Sequence, residues 1–279
     1  MPGYDLHSHT VFSDGTTTPE QNVAGAIAAG LEGLGVTDHD TVEHLDAFIE
    51  AADGTDLEIV PGSEISAELD ERSVHILGYW FDRSDGPLID ELDRVRHERQ
   101  HRAVAIVEKL NALGVPVTFA RVAELAGDAP IGRPHLATAV VETGAAADLQ
   151  EVFDRWLQDG GPAYVPKHAV SPVRAVELVR AAGGAAVLAH PGLFGRTGAG
   201  VDDVDIEAMV GAGLAGIEAD HPDHTPEQKA RYGDLARAFG LVVTAGSDYH
   251  GDRKDLRIGD ATVVRAAVEA LRGRLPART

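Results

Sequence analysis

Short apolar runs recur along this chain, and most are followed by a stretch that reads as a helix. Leu34-Gly35-Val36-Thr37, Ala185–Ala189, Gly216–Ala219 and Leu241–Ala245 are too short for buried helices and have the composition of buried strands. Tyr4–Thr10, Glu58–Gly62 and Ser73–Tyr79 read as further strands. Helix starts stand between them. Thr18-Pro19-Glu20 places a capping hydroxyl before a proline suited to the first helical position, and further helices begin near Ser171-Pro172 and Thr225-Pro226. The first of these helices runs to about Gly30, a second spans about Val42 to Ala52, and another opens near Val204. Strands alternating with helices imply crossover connections, and therefore a mainly parallel sheet covered by helices. About seven such units at this length fit a barrel-like α/β domain better than two separate domains.

The middle of the chain breaks the alternation. From about Pro87 to Gly160 it is rich in Arg, Glu and Ala, and no strand pattern is present. The expected organisation is a barrel formed by residues 1–84 and 163–279, with residues 85–162 as a helical insertion. His97-Glu98-Arg99-Gln100-His101 inside that stretch is a literal HExxH. Its interior positions are Arg99 and Gln100, however, and Arg96 and Arg102 flank it, so it reads as a solvated helix rather than a protease site.

Chemistry-bearing residues gather at the strand ends, where parallel α/β folds place function. His7 and His9 flank Ser8 and would share one face of an extended segment, with Asp14 in the loop that follows. Strand two runs into Thr37-Asp38-His39-Asp40, and strand three is expected to end at Gly62-Ser63-Glu64. His75 lies on the fourth strand, Ala189-His190-Pro191-Gly192 ends the next, and Gly246-Ser247-Asp248-Tyr249-His250 ends the last. Taken alone, His75 suits a core position, and Asp14 before Gly15 suits a turn. His221-Pro222-Asp223-His224 could line a pocket or form a simple turn, so neither histidine is assigned as a ligand. The chain has no cysteine, so any metal must be held by nitrogen and oxygen, which favours manganese, iron or zinc.

In order along the chain, HSHTVFSDG, TDHD, GSE, the histidine of VHILGY, AHPG and GSDYHG resemble the successive motifs of the polymerase and histidinol phosphatase (PHP) family. Gly132-Arg133-Pro134-His135 and Tyr164-Val165-Pro166-Lys167 resemble motifs of its small stand-alone members that act on nucleotide phosphates. The resemblance implies a distorted (β/α)7 barrel with a helical insertion, and phosphoester hydrolysis at a centre of three divalent metal ions. Carried over by position, one metal would take His7, His9, Glu64 and Asp248. A second would share Glu64 and add His75 and His190, and a third would take Asp14, His39 and His250. Every position holds the expected residue type. The metal identity, manganese, iron or zinc, stays open.

Phosphate monoesters are dianions, and their hydrolysis depends on positioning and charge neutralisation. A metal pair about 3.5–4 Å apart can hold a bridging hydroxide as nucleophile and bind the phosphoryl oxygens. Glu64 suits a bridging role because both its oxygens can coordinate. Ligand imidazoles need their other ring nitrogen fixed, and Asp40, ahead of Asp5 and Asp38, is the candidate partner. Glu64, Asp248, His190 and Arg133 form the expected catalytic set. Arg133 and Lys167, with His135 and His168 behind them, are the expected phosphate contacts. The insertion is expected to shape the leaving-group pocket, as the resemblance implies.

The net charge of −21 and only four lysines argue against a long nucleic-acid track and favour a small phosphorylated partner. A nucleoside bisphosphate or monophosphate is the expected substrate. Histidinol phosphate, another pathway-specific phosphoester and short RNA trimmed from its 5′ end are the alternatives, and a polymerase-associated structural module is an alternative of another class. No apolar run is long enough for a membrane span, and no leader pattern opens the chain, so the expectation is a cytoplasmic protein without a membrane partner. Oligomeric state is not legible.

Overall fold

The computed structural model describes residues 3–70, 72–127, 131–158, 160–165, 170–193 and 200–277. Two compact units are present: Met1–Asp93 with Ala169–Thr279, and Arg94–His168.

The first unit contains a seven-stranded sheet whose spatial order follows the sequence: β1 (Tyr4–Asp5), β2 (Gly33–Val36), β3 (Glu58–Leu69), β4 (Arg72–Tyr79), β5 (Ala185–Leu188), β6 (Gly216–Asp220) and β7 (Val242–Ala245). Strands β1 to β3 are parallel, as are β5 to β7. Strand β4 runs antiparallel to both its neighbours. The reversal follows from chain length, because Leu69 pairs with Arg72 and so short a turn cannot make a parallel crossover. The sheet nearly closes into a barrel, since Leu6 N–H donates to the Ala245 carbonyl at 3.1 Å, joining the first strand to the last.

Two elements depart from the sequence expectation. Strand β3 does not stop at Glu64 but continues to Leu69, because β4 pairs with it from Gly62 onward. Strand β1 covers only Tyr4–Asp5, and His7 to Thr10 lie beyond its end. The expected cap at Thr18 is present, and the structure adds two more. Thr18 caps α1 (Pro19–Ala28), Ser171 caps α7 (Pro172–Ala181) and Thr225 caps α9 (Pro226–Phe239), each through a hydroxyl that accepts a backbone N–H of the first turn. Such a cap contributes about 1 kcal/mol. Helices α2 (Leu45–Ala51), α8 (Asp203–Ala212) and α10 (Arg265–Arg272) complete the layer around the sheet.

Alternate strand residues divide between two apolar clusters, as the pleat requires. Leu77, Tyr79 and Val187 join Leu6 and Val60 in one, and the Tyr79 hydroxyl donates to the Leu6 carbonyl at 2.7 Å. Ile76 and Leu188 join Val176 and Val179 of α7 in the other.

Among its described residues, the second unit consists of helices joined by turns and loops. It takes the later part of α3 (Gly86–Ala112), then α4 (Phe119–Ala126), α5 (Arg133–Glu142) and α6 (Leu149–Val152), which runs into a π-helical turn at Phe153–Leu157. Ile106, Leu110, Val122, Leu136, Val140 and Trp156 form its core. His97 and His101 are both exposed on α3, as a solvated helix requires. Among the described residues, no helix is long and apolar enough to cross a membrane.

Candidate metal centre

Past the end of β1 the backbone stays extended and tied on both sides. Thr37 N–H donates to the Ser8 carbonyl, the Ser8 hydroxyl donates to Gly35 O, and His9 N–H donates to Tyr249 O. The two-residue alternation therefore persists without a formal strand, and the Nε2 atoms of His7 and His9 come within 3.0 Å of each other. Gly246 makes room for this approach, because a Cβ there would lie 2.3 Å from the His7 Cβ and 2.7 Å from Glu218 Oε1.

Glu64 is the centre of the cluster and is fully buried. Its Oε2 lies 3.0 Å from both His7 Nε2 and His9 Nε2, and 3.3 Å from His39 Nδ1. Its Oε1 lies 2.8 Å from His75 Nδ1 and 3.1 Å from His190 Nε2. The β3–β4 hairpin explains the approach of His75: Ser66 sits opposite His75 and Glu64 opposite Leu77, so Glu64 and His75 are diagonal neighbours on one face. Asp248 Oδ1 lies 3.2 Å from His9 Nε2 and 3.5 Å from His7 Nε2. Asp14 Oδ1 is 3.2 Å from His250 Nε2 and 3.9 Å from His39 Nε2. All nine ligand candidates thus converge, and Asp40 accepts from the Ser66 N–H at 2.7 Å. His190 at φ 23° and Asp248 at φ 51° both occupy the left-handed region, at a cost of about 1–3 kcal/mol each.

The outer ring of contacts contains a residue that sequence reasoning missed. Glu218, an acid in the buried run of β6, accepts from His7 Nδ1 at 3.1 Å and from the His190 backbone N–H at 2.9 Å. Asp38 accepts from the Thr10 backbone and from the Thr10 and Ser13 hydroxyls. Asp5 accepts from the backbone N–H groups of Ser247 and Gly259.

These partners settle which ring nitrogens carry hydrogen. An ionised carboxylate and a backbone carbonyl can only accept, so His7 donates through Nδ1 to Glu218, and His250 donates through Nδ1 to the Asp248 carbonyl at 2.8 Å. Neutral His7 and His250 then present lone pairs on Nε2 to carboxylate oxygens. Two acceptors facing each other at about 3 Å need a proton or a cation between them. His39 Nδ1 is buried without a hydrogen-bond partner, which agrees. The donor set therefore fits divalent ions, with nitrogen and oxygen ligands suited to manganese, iron or zinc.

His221 differs. Its Nδ1 accepts from the Asp223 backbone N–H at 3.1 Å, so in the neutral ring Nε2 carries hydrogen and faces Asp248 Oδ2 at 3.6 Å. That tautomer has no lone pair to offer a metal. His224 is held between Ala219 O and Gly192 N–H. Lys254 Nζ meets Asp248 Oδ2 from another side.

Electrostatics carries the same message. Burial alone would depress His7 and His9, yet Glu64, Glu218 and Asp248 push His7 well above 6.5, and Asp248 with Glu64 pushes His9 up to about 9. Burial opposes ionisation of Glu64, Asp248 and Asp14, yet the surrounding imidazoles hold all three well below the usual carboxylate range. Desolvation brings His39 down to about 3, so it stays neutral. The metal-free cluster is thus a set of buried anions balanced by protons, which metal cations would displace.

A cavity of about 450 Å³ opens onto the cluster, lined by Asp14, His39, Glu64, His75, His190 and Asp248 among others. That volume suits a small ligand. The remaining expected contacts lie in the second unit. His135 is buried and its Nδ1 accepts from the Gly132 N–H, while Arg133 donates to Leu157 O at 3.4 Å. Lys167 and His168 lie outside the described residues.

A PHP domain matches residues 5–132. The chain is 32% identical over 279 residues to the 5′-3′ exoribonuclease Rnm of Salmonella typhimurium, covering 96% of this chain and 92% of that protein. It is 33% identical to the 3′,5′-nucleoside bisphosphate phosphatase of Chromobacterium violaceum, covering 90% and 88%. Its identity to the phosphoribosyl 1,2-cyclic phosphate 1,2-diphosphodiesterase of Eggerthella lenta is 36%, covering 88% and 94%. Among solved structures, a protein of Bifidobacterium adolescentis described as a metal-dependent phosphoesterase aligns with a TM-score of 0.86 at 33% identity, over 99% of this chain and 97% of that one.

Proposed function

The chain belongs to the PHP family of metal-dependent phosphoesterases, and from that premise we propose that it hydrolyses a phosphate monoester of a small nucleotide, with a nucleoside 3′,5′-bisphosphate as the favoured substrate. The observation that carries this reading is the convergence of five imidazoles on Glu64 at the floor of a cavity of mononucleotide scale. Divalent ions on His7, His9, Glu64 and Asp248, on Glu64, His75 and His190, and on Asp14, His39 and His250 would neutralise phosphoryl oxygens and acidify a water.

The chain's own residues supply positioning. Glu64 offers one oxygen to each of two groups of imidazoles, which suits it to be shared. Glu218 fixes the ring of His7 and the backbone of His190 together, so one carboxylate orients two ligands. Asp248 keeps Oδ1 on the cluster while Oδ2 faces Lys254 and His221. Glu64, Asp248, His190 and Arg133 form the proposed catalytic set, with Arg133, Lys167, His135 and His168 proposed as phosphate contacts.

The acidic balance of the chain supports a small anion over a polymer, because its field opposes a long phosphate backbone while local cations serve a compact one. Near full-length similarity to exoribonucleases favours a second reading, removal of nucleotides from the 5′ end of short RNA. The test is product release by manganese-supplemented protein from adenosine 3′,5′-bisphosphate, 3′-AMP, 5′-AMP, histidinol phosphate and a short 5′-phosphorylated RNA, with Asp248→Asn as control. Release concentrated on the bisphosphate and lost in the control is the expected result. Preference for the RNA or histidinol phosphate would replace this reading.

A further inference from the structure

The geometry points to Arg253 and Lys254 as an anion subsite beside the metal cluster, one that takes the second phosphate of a nucleoside bisphosphate. This deepens the proposed phosphatase reading and rests on it.

Both residues line the cavity together with Asp14, His39, Glu64 and Asp248. They are the only lysine and arginine among its described lining residues. Lys254 Nζ contacts Asp248 Oδ2 while its side chain remains 34% exposed, so the ammonium borders both the cluster and the open cavity. Arg253 is exposed and makes no ion pair or side-chain hydrogen bond among the described residues. By contrast, Arg121, Arg155, Arg231 and Arg272 each hold a carboxylate. Asp252 and Asp255 flank Arg253 closely in sequence, yet neither pairs with it.

The turn that presents the two cations is anchored. Gly251–Arg253 forms a 3-10 turn directly after His250. Thr16 N–H donates to the His250 carbonyl, and Asp252 N–H donates to the Thr16 hydroxyl at 2.9 Å. Gly251 has φ 69°, and a Cβ there would meet Thr16 Oγ1 at 2.0 Å, so the turn closes against the loop that carries Asp14 only with glycine. The turn is therefore held relative to two candidate ligands, Asp14 and His250; Lys254 pairs with Asp248, while Arg253 has no carboxylate partner among the described residues.

An unpaired guanidinium beside a cavity is a ready fork for phosphate oxygens. The donor cluster at the cavity floor accounts for the scissile phosphate. Arg253, exposed on the same cavity wall and next in sequence to Lys254, accounts for a second anionic group on the same small molecule. A monophosphate leaves that group unmatched, so the pair sets preference rather than chemistry.

The test compares wild-type protein with Arg253→Met and Arg253→Lys on adenosine 3′,5′-bisphosphate and on 5′-AMP and 3′-AMP. Metal content and melting temperature are measured alongside. Dissociation constants for the bisphosphate and for 5′-AMP are also measured by calorimetry in a hydrolysis-deficient His190→Asn background, with and without Arg253→Met. Loss of a charge-assisted contact predicts an increase of about 10- to 100-fold in KM and Kd for the bisphosphate. Values for the monophosphates and metal content should stay within about twofold, with Arg253→Lys intermediate. Equal weakening of all ligands, or none, overturns the subsite. If wild-type protein does not hydrolyse the bisphosphate, the proposed function fails, while the calorimetric comparison still decides the subsite.

Discussion

The barrel unit and the helical unit bury different things. Of the described residues that are both polar and buried, His135 is the only one in the helical unit, and every other belongs to the barrel unit. The helical unit buries Ile106, Leu110, Val122, Leu136 and Val140, a core whose stability comes from apolar area. Around Glu64 the barrel unit instead buries imidazoles and carboxylates that must compensate one another, and holds His190 and Asp248 in left-handed backbone conformations. One region spends sequence on stability, the other on a site that is costly to assemble and whose donors could hold cations.

Four perturbations sharpen that contrast. The largest effect is expected from Glu64→Gln, which weakens a ligand shared by two groups of imidazoles. Metal content should fall, and kcat/KM should drop by at least about 10²–10³-fold, as elemental analysis and phosphate release would show. Retention of both would dissolve the central role of Glu64.

Leu110→Ala in the helical core should do the converse. It should cost about 2–5 kcal/mol in urea unfolding while leaving metal content of the folded protein unchanged. Metal loss without loss of stability would contradict the division of labour.

His221 supplies a finer test, because its hydrogen-bearing Nε2 faces Asp248. His221→Leu removes a buried N–H that faces Asp248 at 3.6 Å, beyond hydrogen-bond distance, and should weaken metal affinity by no more than about tenfold. His221→Gln, which keeps a donor near the same place, should restore most of it. Equal weakening in both variants would leave His221 a packing residue only.

The smallest effect is a slope with pH. His7 and His9 are raised in the metal-free chain, His9 to about 9. Their contribution to folding is complete below the ordinary histidine value of 6.5 and is lost as pH climbs through the raised values. Metal-free protein should therefore lose melting temperature between pH 6.5 and 9. Metal binding requires the same rings neutral, so metal affinity should rise across that window, with protons released on binding. Parallel slopes for both forms would show that metal and proton do not compete for these rings.

Much of the site was legible because its ligands come in short local motifs. His7-Ser8-His9, Asp248-Tyr249-His250 and the motif around His39 each fix two or three neighbours through backbone alternation or a tight turn. What escaped depends on pairing that no single motif encodes. Strand β3 passes Glu64 because β4 folds back on it as a hairpin. Glu218 is a single acid in an apolar run, 211 residues from the ring it orients. Its one signal was a carboxylate at a position where a buried strand should carry none. The capping hydroxyl at Thr18 was legible for the opposite reason, since a cap is decided within four residues. Asp40, the expected partner of an imidazole, has a positive φ and accepts from the Ser66 N–H.

The most direct test of the central claim is to strip the protein with chelator, return manganese stepwise, and follow bound metal and phosphate release from adenosine 3′,5′-bisphosphate in the same samples. The account predicts that activity vanishes with the metal and returns with it, and that Asp248→Asn recovers neither fully. Undiminished hydrolysis by metal-free wild-type protein would contradict it.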